Sequence, residues 1–326
     1  MRSKLHRTAG LALVALALIW IAKNMLLPVG GTGTTFVRIP QGSSARQIAA
    51  ILAENKVIPS RLGFMLLVRV TGKSANLKTG AYRFSPKMSP STILSMIARG
   101  DVCARWITFP EGYTISQMGE RLEAQGICSA DKFIALATTG GKNFPAKFPH
   151  PDNLEGYLFP DTYLIPTGVS EATIISQMLD CFDQKVYNKF AGDAASSGMS
   201  LGQVITLASL IEREARVEKD RPLVSSVLRN RLGKNMRLEC DATVLYALGR
   251  HKNRVLYRDL EINSPYNTYR NAGLPPGPIA NPGIASVEAA LHPVKADYLY
   301  YVARKDGTHI FSRTFDEHER ARKTVR

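Results

Sequence analysis

The sequence predicts an α+β protein with three parts: an N-terminal transmembrane helix, a small α/β domain and a larger, mainly helical α+β domain. Three observations predict this organisation: an apolar run at the N-terminus, a glycine-rich stretch behind it, and a chain that is richer in long helical patterns from about residue 106 onward. With 326 residues, of which 45% are hydrophobic, the chain is large enough to bury two cores.

The formal net charge of +15 limits the classes of partner. Such a charge attracts nucleic acids, anionic lipid head groups or a carboxylate-bearing wall polymer. Zinc-finger and helix-turn-helix spacings are absent, and no basic run is interleaved with aromatic residues, so we expect no nucleic acid partner.

The four cysteines are far apart and lack a C-x-x-C pair, so metal-ligand spacing is absent. The cysteines are either small core residues or members of disulfides, and the sequence leaves both possibilities open. We expect no metal or other cofactor.

The N-terminus predicts a signal anchor. A basic segment, residues 1–8, precedes an apolar helix at residues 9–27, in which Lys23 can reach the membrane interface. By the positive-inside rule, the basic segment stays cytoplasmic and everything after residue 27 lies outside the membrane. The alternative is a cleaved signal peptide, because Ala15-Leu16-Ala17 has the small-x-small pattern of a cleavage site. We therefore expect a single-pass protein of the inner (plasma) membrane with a periplasmic or extracytoplasmic globular part.

Residues 28–35 are glycine-rich and predict a flexible linker, and residues 36–105 predict the small α/β domain. Between Val37 and Arg105 the chain has eleven basic residues and only two acidic ones, so positive charge is concentrated beside the anchor. The predicted elements are a strand at Phe36–Pro40, a helix capped by Ser43 or Ser44, a helix at Arg61–Val70, a strand at Tyr82–Phe84, and a helix that begins at Ser89 or Ser91 and ends at Gly100.

Residues 106–326 predict the larger domain, which begins with a repeat of an earlier pattern. Phe109-Pro110-Glu111-Gly112 repeats Ile39-Pro40-Gln41-Gly42, and each is followed by a helix-capping hydroxyl. The repeat indicates one strand–turn–helix unit used twice, and we assign it no catalytic role. The further predicted elements are helices at Thr173–Phe182, Leu201–Val217, Arg221–Leu232 and Ala285–Leu291, and strands at Tyr298–Ala303 and His309–Phe311.

The chemistry of the larger domain must rest on carboxylates, because phosphate-binding glycine loops and the H-E-x-x-H and G-x-S-x-G motifs are absent. Glu212 borders the apolar face of the helix predicted at Leu201–Val217, and a carboxyl group partly withdrawn from water is a better proton donor near neutrality. Glu214 is assigned to a more solvated surface, because the next helical turn holds Glu218 and Arg221. The pattern around Glu212 also fits an ordinary helix-surface glutamate that pairs with arginines.

Segment 153–163 is aromatic and interrupted by Gly and Pro, which is the composition of an ordered loop that lines a groove. Segments 264–269 and 273–283 give a long loop that is too rich in Pro for a helix or a sheet. Aromatic faces stack on sugar rings while Asp, Asn and Glu bind hydroxyl groups, so 153–163 is a candidate glycan-binding stretch, and the long Pro-rich loop is a candidate functional loop. A core-packed turn is the alternative for 153–163. The candidate substrate-binding residues are Glu155, Tyr157, Asp161, Tyr163, Asp241, Tyr266, Asn267, Tyr269 and Asn281.

Several motifs together resemble the endolytic murein transglycosylase family (MltG): F-P-E-G from Phe109, L-E-G-Y-L-F-P-D-T-Y from Leu154, L-A-S-L-I-E-R-E from Leu207, and S-P-Y-N-T-Y from Ser264 with G-L-P-P-G-P-I-A-N-P-G from Gly273. The resemblance covers nearly the whole chain. It implies a single-pass inner-membrane protein with a LysM-like domain at residues 36–105 and a catalytic domain at residues 106–326. It also implies that Glu212, the first glutamate of L-I-E-R-E, is catalytic, that peptidoglycan strands are the substrate, and that peptidoglycan synthases are candidate partners.

The expected reaction is endolytic cleavage between N-acetylmuramic acid (MurNAc) and N-acetylglucosamine (GlcNAc), which leaves 1,6-anhydro-MurNAc ends and terminates nascent strands. Glu212 would protonate the glycosidic oxygen and then accept the proton of the MurNAc 6-hydroxyl. Two alternatives stay open. One is a hydrolase that uses Glu155, Asp161 or Asp241 as a second carboxylate, and the other is a non-catalytic wall-binding or divisome scaffold in which Glu212 is structural.

Overall fold

The computed structural model of the chain describes residues 27–249 and 255–325. The predicted basic segment, residues 1–8, and all but the last residue of the predicted anchor, residues 9–27, lie outside the described residues. Within the described part no single helix is long and apolar enough to cross a membrane; by length and composition alone, one pair bent by 106°, Glu171–Ser196 and Leu201–Glu214, meets that requirement.

Contacts within the chain group it into two units. The N-terminal unit consists of the residues up to Ile107 together with Thr162–Gly168, and the C-terminal unit consists of Thr108–Asp161 together with Val169–Arg326. Both contain helices and strands, which confirms the α+β class.

The N-terminal unit contains a four-stranded sheet in the order β1-β2-β3-β4. Strands β1 and β2 are antiparallel, with Val37 opposite Tyr82, and β2 pairs with β3 in the same sense. The core of the unit is apolar and includes the fully buried Phe64 and Phe84. Its elements are β1 (Thr35–Ile39), α1 (Ala45–Glu54), α2 (Arg61–Val70), β2 (Gly80–Phe84), α3 (Pro90–Arg99), β3 (Ala104–Thr108) and β4 (Thr162–Pro166).

Helix starts follow local capping signals, as predicted. Ser44 accepts a hydrogen bond from the backbone of Gln47 and forms a capping box, and Thr114 forms the same box further along the chain. The turns before these helices both place a glycine at φ +78°, Gly42 and Gly112, a conformation that favours glycine. The predicted reuse of one strand–turn–helix unit is therefore confirmed.

The C-terminal unit is mainly helical and adds a two-stranded antiparallel hairpin. Its elements are α4 (Ile115–Ala124), α5 (Ala130–Thr139), α6 (Glu171–Phe182), α7 (Asn188–Ser196), α8 (Leu201–Glu214), α9 (Arg221–Gly233), α10 (Asp241–Leu248), α11 (Ile284–Leu291), β5 (Tyr300–Ala303), β6 (His309–Ser312) and α12 (Phe315–Thr324). Helix α8 is central, because it contacts α9, α10 and α11 and buries its residues from Val204 to Ile211. The four cysteines are free thiols.

The structure differs from the sequence-based expectation at the end of α8. The helix predicted to reach Val217 ends at Glu214, because Ala215 has the extended conformation φ −87°, ψ 105°. The residues that follow therefore do not form a further turn of this helix, which changes the surroundings of Glu214. Four helices, α5, α7, α10 and α12, and strand β4 were not predicted.

Candidate active site

Helix α8 ends with two glutamates that face different directions. Glu212 and Glu214 are two positions apart, which on an α-helix places their side chains about 200° apart around the axis. The two carboxyl groups consequently contact different parts of the C-terminal unit.

The carboxylate of Glu212 is enclosed by hydrogen-bond donors. Its Oε1 accepts from Nη2 of Arg221 at 3.1 Å, and its Oε2 accepts from the backbone N–H of Gly283 at 3.0 Å and from Oγ of Ser286 at 2.7 Å. The Glu212 side chain is only 6% exposed. Because Gly283 and Ser286 begin α11, this carboxylate caps the helix N-terminus, where negative charge is favoured. Glu212 thus links α8 to α9 and α11.

The carboxylate of Glu111 lies beside Gly283, the residue whose N–H donates to Glu212. The sequence pattern assigned Glu111 no role. A β-carbon placed on Gly283 would lie 1.9 Å from Oε1 of Glu111, so the Glu111 carboxylate fills the space that a side chain would need. Burial, and then the charge of Glu212, raise the pKa of Glu111. The signal in the sequence was the repeat itself, because its first copy has Gln41 where the second has a carboxylate.

The carboxylate of Glu214 lines a cavity of about 1100 Å³. Its Oε2 accepts a hydrogen bond from the hydroxyl of Tyr301 at 3.1 Å, and the backbone N–H of Ala242 donates to the same carboxylate. Burial, and then the charge of Asp241, raise the pKa of Glu214 to about 7. The expectation that Glu214 lies on a more solvated surface is therefore wrong, because it assumed a helical turn beyond the observed end of α8.

Two of the predicted substrate-binding residues lie at this cavity. Asp241 and Tyr269 both line it, and the hydroxyl of Tyr269 donates a 2.6 Å hydrogen bond to Oδ1 of Asp241. Three further tyrosines, Tyr257, Tyr300 and Tyr301, contribute aromatic surface. The cavity thus combines a carboxyl group whose pKa is raised, a second carboxylate and aromatic faces, which are groups that glycan chemistry uses.

Glu155 and Asn281, also predicted for substrate binding, are instead buried and bonded to each other. Nδ2 of Asn281 donates to Oε1 of Glu155 at 2.9 Å, while its Oδ1 accepts from the backbone N–H groups of Gly156 and Leu158. Burial raises the pKa of Glu155 to about 8. At 4% and 0% exposure these two residues hold loops together and present no surface to a glycan in this structure.

The other predicted residues lie elsewhere. Tyr157 is buried against aromatic rings, and the Asn267 side chain donates to the carbonyls of Leu260 and Ile262 to hold its own loop. The remaining three have distinct settings: Asp161 is paired with Lys185 at 2.6 Å, Tyr163 is buried in β4 of the N-terminal unit, and the half-buried Tyr266 has its ring centroid 4.9 Å from that of Tyr246. Burial accounts for the difference, because sequence composition does not distinguish an aromatic loop lining from an aromatic core.

Comparison with known proteins gives consistent matches over most of the chain. The chain is 40% identical to the endolytic murein transglycosylase of Bacillus subtilis (strain 168), over 92% of this chain and 88% of that protein. It is 28% identical to the endolytic murein transglycosylase of Streptococcus pneumoniae serotype 2 (strain D39), over 91% of this chain and 60% of that longer protein. The crystal structure of a yceG-like protein from Listeria monocytogenes matches with a TM-score of 0.62 and 39% identity, over 88% of this chain and 98% of that chain. The profile of the YceG-like family matches residues 37–324, and the chain therefore belongs to the YceG-like family.

Proposed function

We propose that this protein is an endolytic murein transglycosylase, a lyase that cuts the MurNAc–GlcNAc bond within peptidoglycan strands and leaves 1,6-anhydro-MurNAc ends. Family membership and the names of the two relatives support this activity. The observation that carries it in this chain is the Glu214 carboxyl, which lines the large cavity with its pKa raised by burial to about 7.

In the proposed mechanism, Glu214 first acts as a general acid. Its proton moves to the glycosidic oxygen, the bond from that oxygen to C1 of MurNAc breaks, and GlcNAc leaves with a 4-hydroxyl. The Glu214 carboxylate, held by Tyr301 and the N–H of Ala242, then accepts the proton of the MurNAc 6-hydroxyl as that oxygen attacks C1. No water is consumed, and the proton returns to Glu214. A pKa near 7 suits both steps, because the group must give and take a proton at the same pH.

Glu212, the acid predicted from the sequence, stays a candidate that must be tested beside Glu214. All three of its hydrogen bonds come from residues at the starts of helices α9 and α11. To protonate a glycan it would have to leave Arg221 and Ser286. The geometry therefore favours an anchoring role for Glu212 and the chemical role for Glu214.

The test is mass spectrometry of the products released from purified sacculi by the full chain in detergent. Wild type should release anhydro products, Glu214→Gln should release none, and Glu212→Gln should retain anhydro products in proportion to its folded fraction, measured by near-UV circular dichroism. A folded but inactive Glu212→Gln, together with an active Glu214→Gln, would return the acid role to Glu212.

The same experiment separates the alternative functions. Reducing ends in place of anhydro ends would identify a hydrolase, for which Asp241 is the suitable second carboxylate, because it shares the cavity with Glu214. Glu155 and Asp161 are already held by Asn281 and Lys185. Release of no product from any sample would favour the non-catalytic scaffold.

For the cellular setting we propose a single-pass inner-membrane protein, anchored by residues 9–27, with the globular part outside the membrane and a LysM-like domain at residues 36–105. The supports are the charge asymmetry of the N-terminus and the composition of the chain. We propose further that the enzyme terminates the elongation of nascent glycan strands and contacts peptidoglycan synthases. Protease added to intact spheroplasts should digest the globular part if this topology is correct and should leave it intact if that part is cytoplasmic.

A further inference from the structure

Arginines are the commonest charged residues around the Glu214 cavity. Two of them, Arg231 and Arg322, are paired with glutamates. The other three form an arginine cluster whose members are exposed and take part in no ion pair between described residues: Arg213, Arg216 and Arg304. The cavity lining has five arginines and three carboxylates, so it carries a net positive charge.

The arginine cluster is built on ordered backbone. Arg216 packs against the turn between β5 and β6, since a β-carbon on Gly307 would lie 3.5 Å from its Cβ. Arg304 starts that turn and donates from its backbone and from Nη1 to Thr308. Asp306, the acid of the turn, accepts from Thr308 and does not line the cavity. The turn thus adds two cationic groups to the cavity, whose carboxylates are those of Glu214, Glu239 and Asp241.

Arg213 is positioned from α8, one residue before Glu214. Its Nη1 donates to the carbonyl of Gly112 at 3.2 Å, and the guanidinium group has further N–H donors for a ligand. A guanidinium group binds a carboxylate through two parallel hydrogen bonds, which gives a strong and directional contact. An anionic ligand group close to the proton donor is therefore the chemistry that this arrangement fits.

His318, on α12, adds a polar side chain to the cavity lining. Its buried Nδ1 has no hydrogen-bond partner within the described residues. Burial lowers the pKa of His318, so the neutral ring is favoured.

We propose that the arginine cluster is a subsite for the carboxylates of the peptide stems, so that the enzyme cuts peptide-bearing strands in preference to denuded ones. This inference rests on the proposed function. The sugar ring hydroxyls of a strand are neutral, whereas each stem is attached to MurNAc, next to the bond that is cut, and ends in a carboxylate. Charge-assisted contacts to the stem would therefore hold the scissile bond at Glu214.

The test compares two substrates made from one preparation of uncross-linked strands, one with stems and one stripped by an amidase. Rates of anhydro-end formation are measured with the full chain in detergent. Wild type should cut the stem-bearing strands about tenfold faster at low concentration, which corresponds to one charge-assisted contact. The double variant Arg216→Gln/Arg304→Gln should lose this preference through a higher KM for stem-bearing strands.

Arg320→Gln is the matched control, because Arg320 is exposed on α12 and does not line the cavity; it should behave as wild type. Equal wild-type rates on the two substrates would overturn the subsite, as would a double variant that loses the same factor on both. Failure of wild type to cut either substrate would instead overturn the proposed function.

Discussion

The hydroxyl of Tyr301 donates a 3.1 Å hydrogen bond to Oε2 of Glu214, and Tyr301 lies in β5 while Glu214 ends α8. The bond stabilises the ionised carboxylate and so holds the pKa of Glu214 below the value that burial alone would give. The hairpin therefore adjusts the protonation of the group that we propose as the acid.

Replacing Tyr301 by Phe should move the alkaline limb of the activity profile to higher pH by up to about one pH unit. The variant lacks the donor, so the pKa of Glu214 rises and the protonated acid persists to higher pH. The measurement is the rate of anhydro-product formation between pH 5 and 9. Tyr300→Phe, which alters a neighbouring cavity tyrosine, is the control and should leave the limb unchanged. A limb that moves to lower pH would contradict the assignment.

Replacing Asp241 by Asn should move the same limb in the opposite direction. The charge of Asp241 is the second cause of the raised Glu214 pKa, so its removal lowers that pKa and activity should fall at lower pH than in wild type. Tyr269→Phe removes the 2.6 Å hydrogen bond to Asp241 but retains the Asp241 charge. This variant therefore distinguishes an effect of the Asp241 charge on the limb from an effect of that hydrogen bond. If both variants titrate as wild type, Glu214 is not the group that sets the limb.

Replacing Arg221 by Met should destabilise the C-terminal unit by about 3 kcal/mol, because it leaves the buried Glu212 carboxylate without its cationic partner. Urea unfolding followed by fluorescence would measure the loss. Glu212→Gln in the Arg221→Met background removes the uncompensated charge and should recover part of the stability. A loss no larger than that of the exposed Arg320→Met would show that the pair contributes little.

Replacing Gly283 by Ala should cost less than about 1 kcal/mol, since the new methyl group would meet only the end of the exposed, flexible Glu111 side chain, which can turn away. The backbone of Gly283, at φ −80° and ψ 171°, suits alanine, so the collision is the whole effect. Glu111→Ala should therefore restore most of the stability of Gly283→Ala. Absence of this rescue would mean that Glu111 does not occupy the space beside Gly283.

Local signals were sufficient for the helix starts and insufficient for the site. Capping residues and turn glycines act within four residues, so Ser44 and Gly112 could be interpreted directly. The surroundings of Glu214 depend on where helix α8 ends. Ala215 carries no sequence signal of a helix end, and the environment of Glu214 comes from Tyr301, 87 positions away.

Tertiary burial explains the other differences. The loop at 153–163 was predicted to bind glycan because aromatic and carboxylate groups occur together there, yet Glu155 is used to hold Asn281. Strand β4 was not predicted because its partners lie some sixty positions earlier in the chain. Helix α12 has only Ala321 buried and so has no apolar stripe that a periodicity argument could find.

The bonds of Asn281 also have a consequence for the order in which the chain folds. Its amide joins segments that are 126 positions away, at Glu155, and 168 positions away, at Tyr113. Contacts of such long sequence separation close large loops and form slowly. During synthesis, α4 and the loop before β4 must therefore wait without this partner until most of the C-terminal unit has been made. A chain released early would expose the Glu155 carboxyl and its apolar surroundings, the state in which quality-control proteases should recognise it.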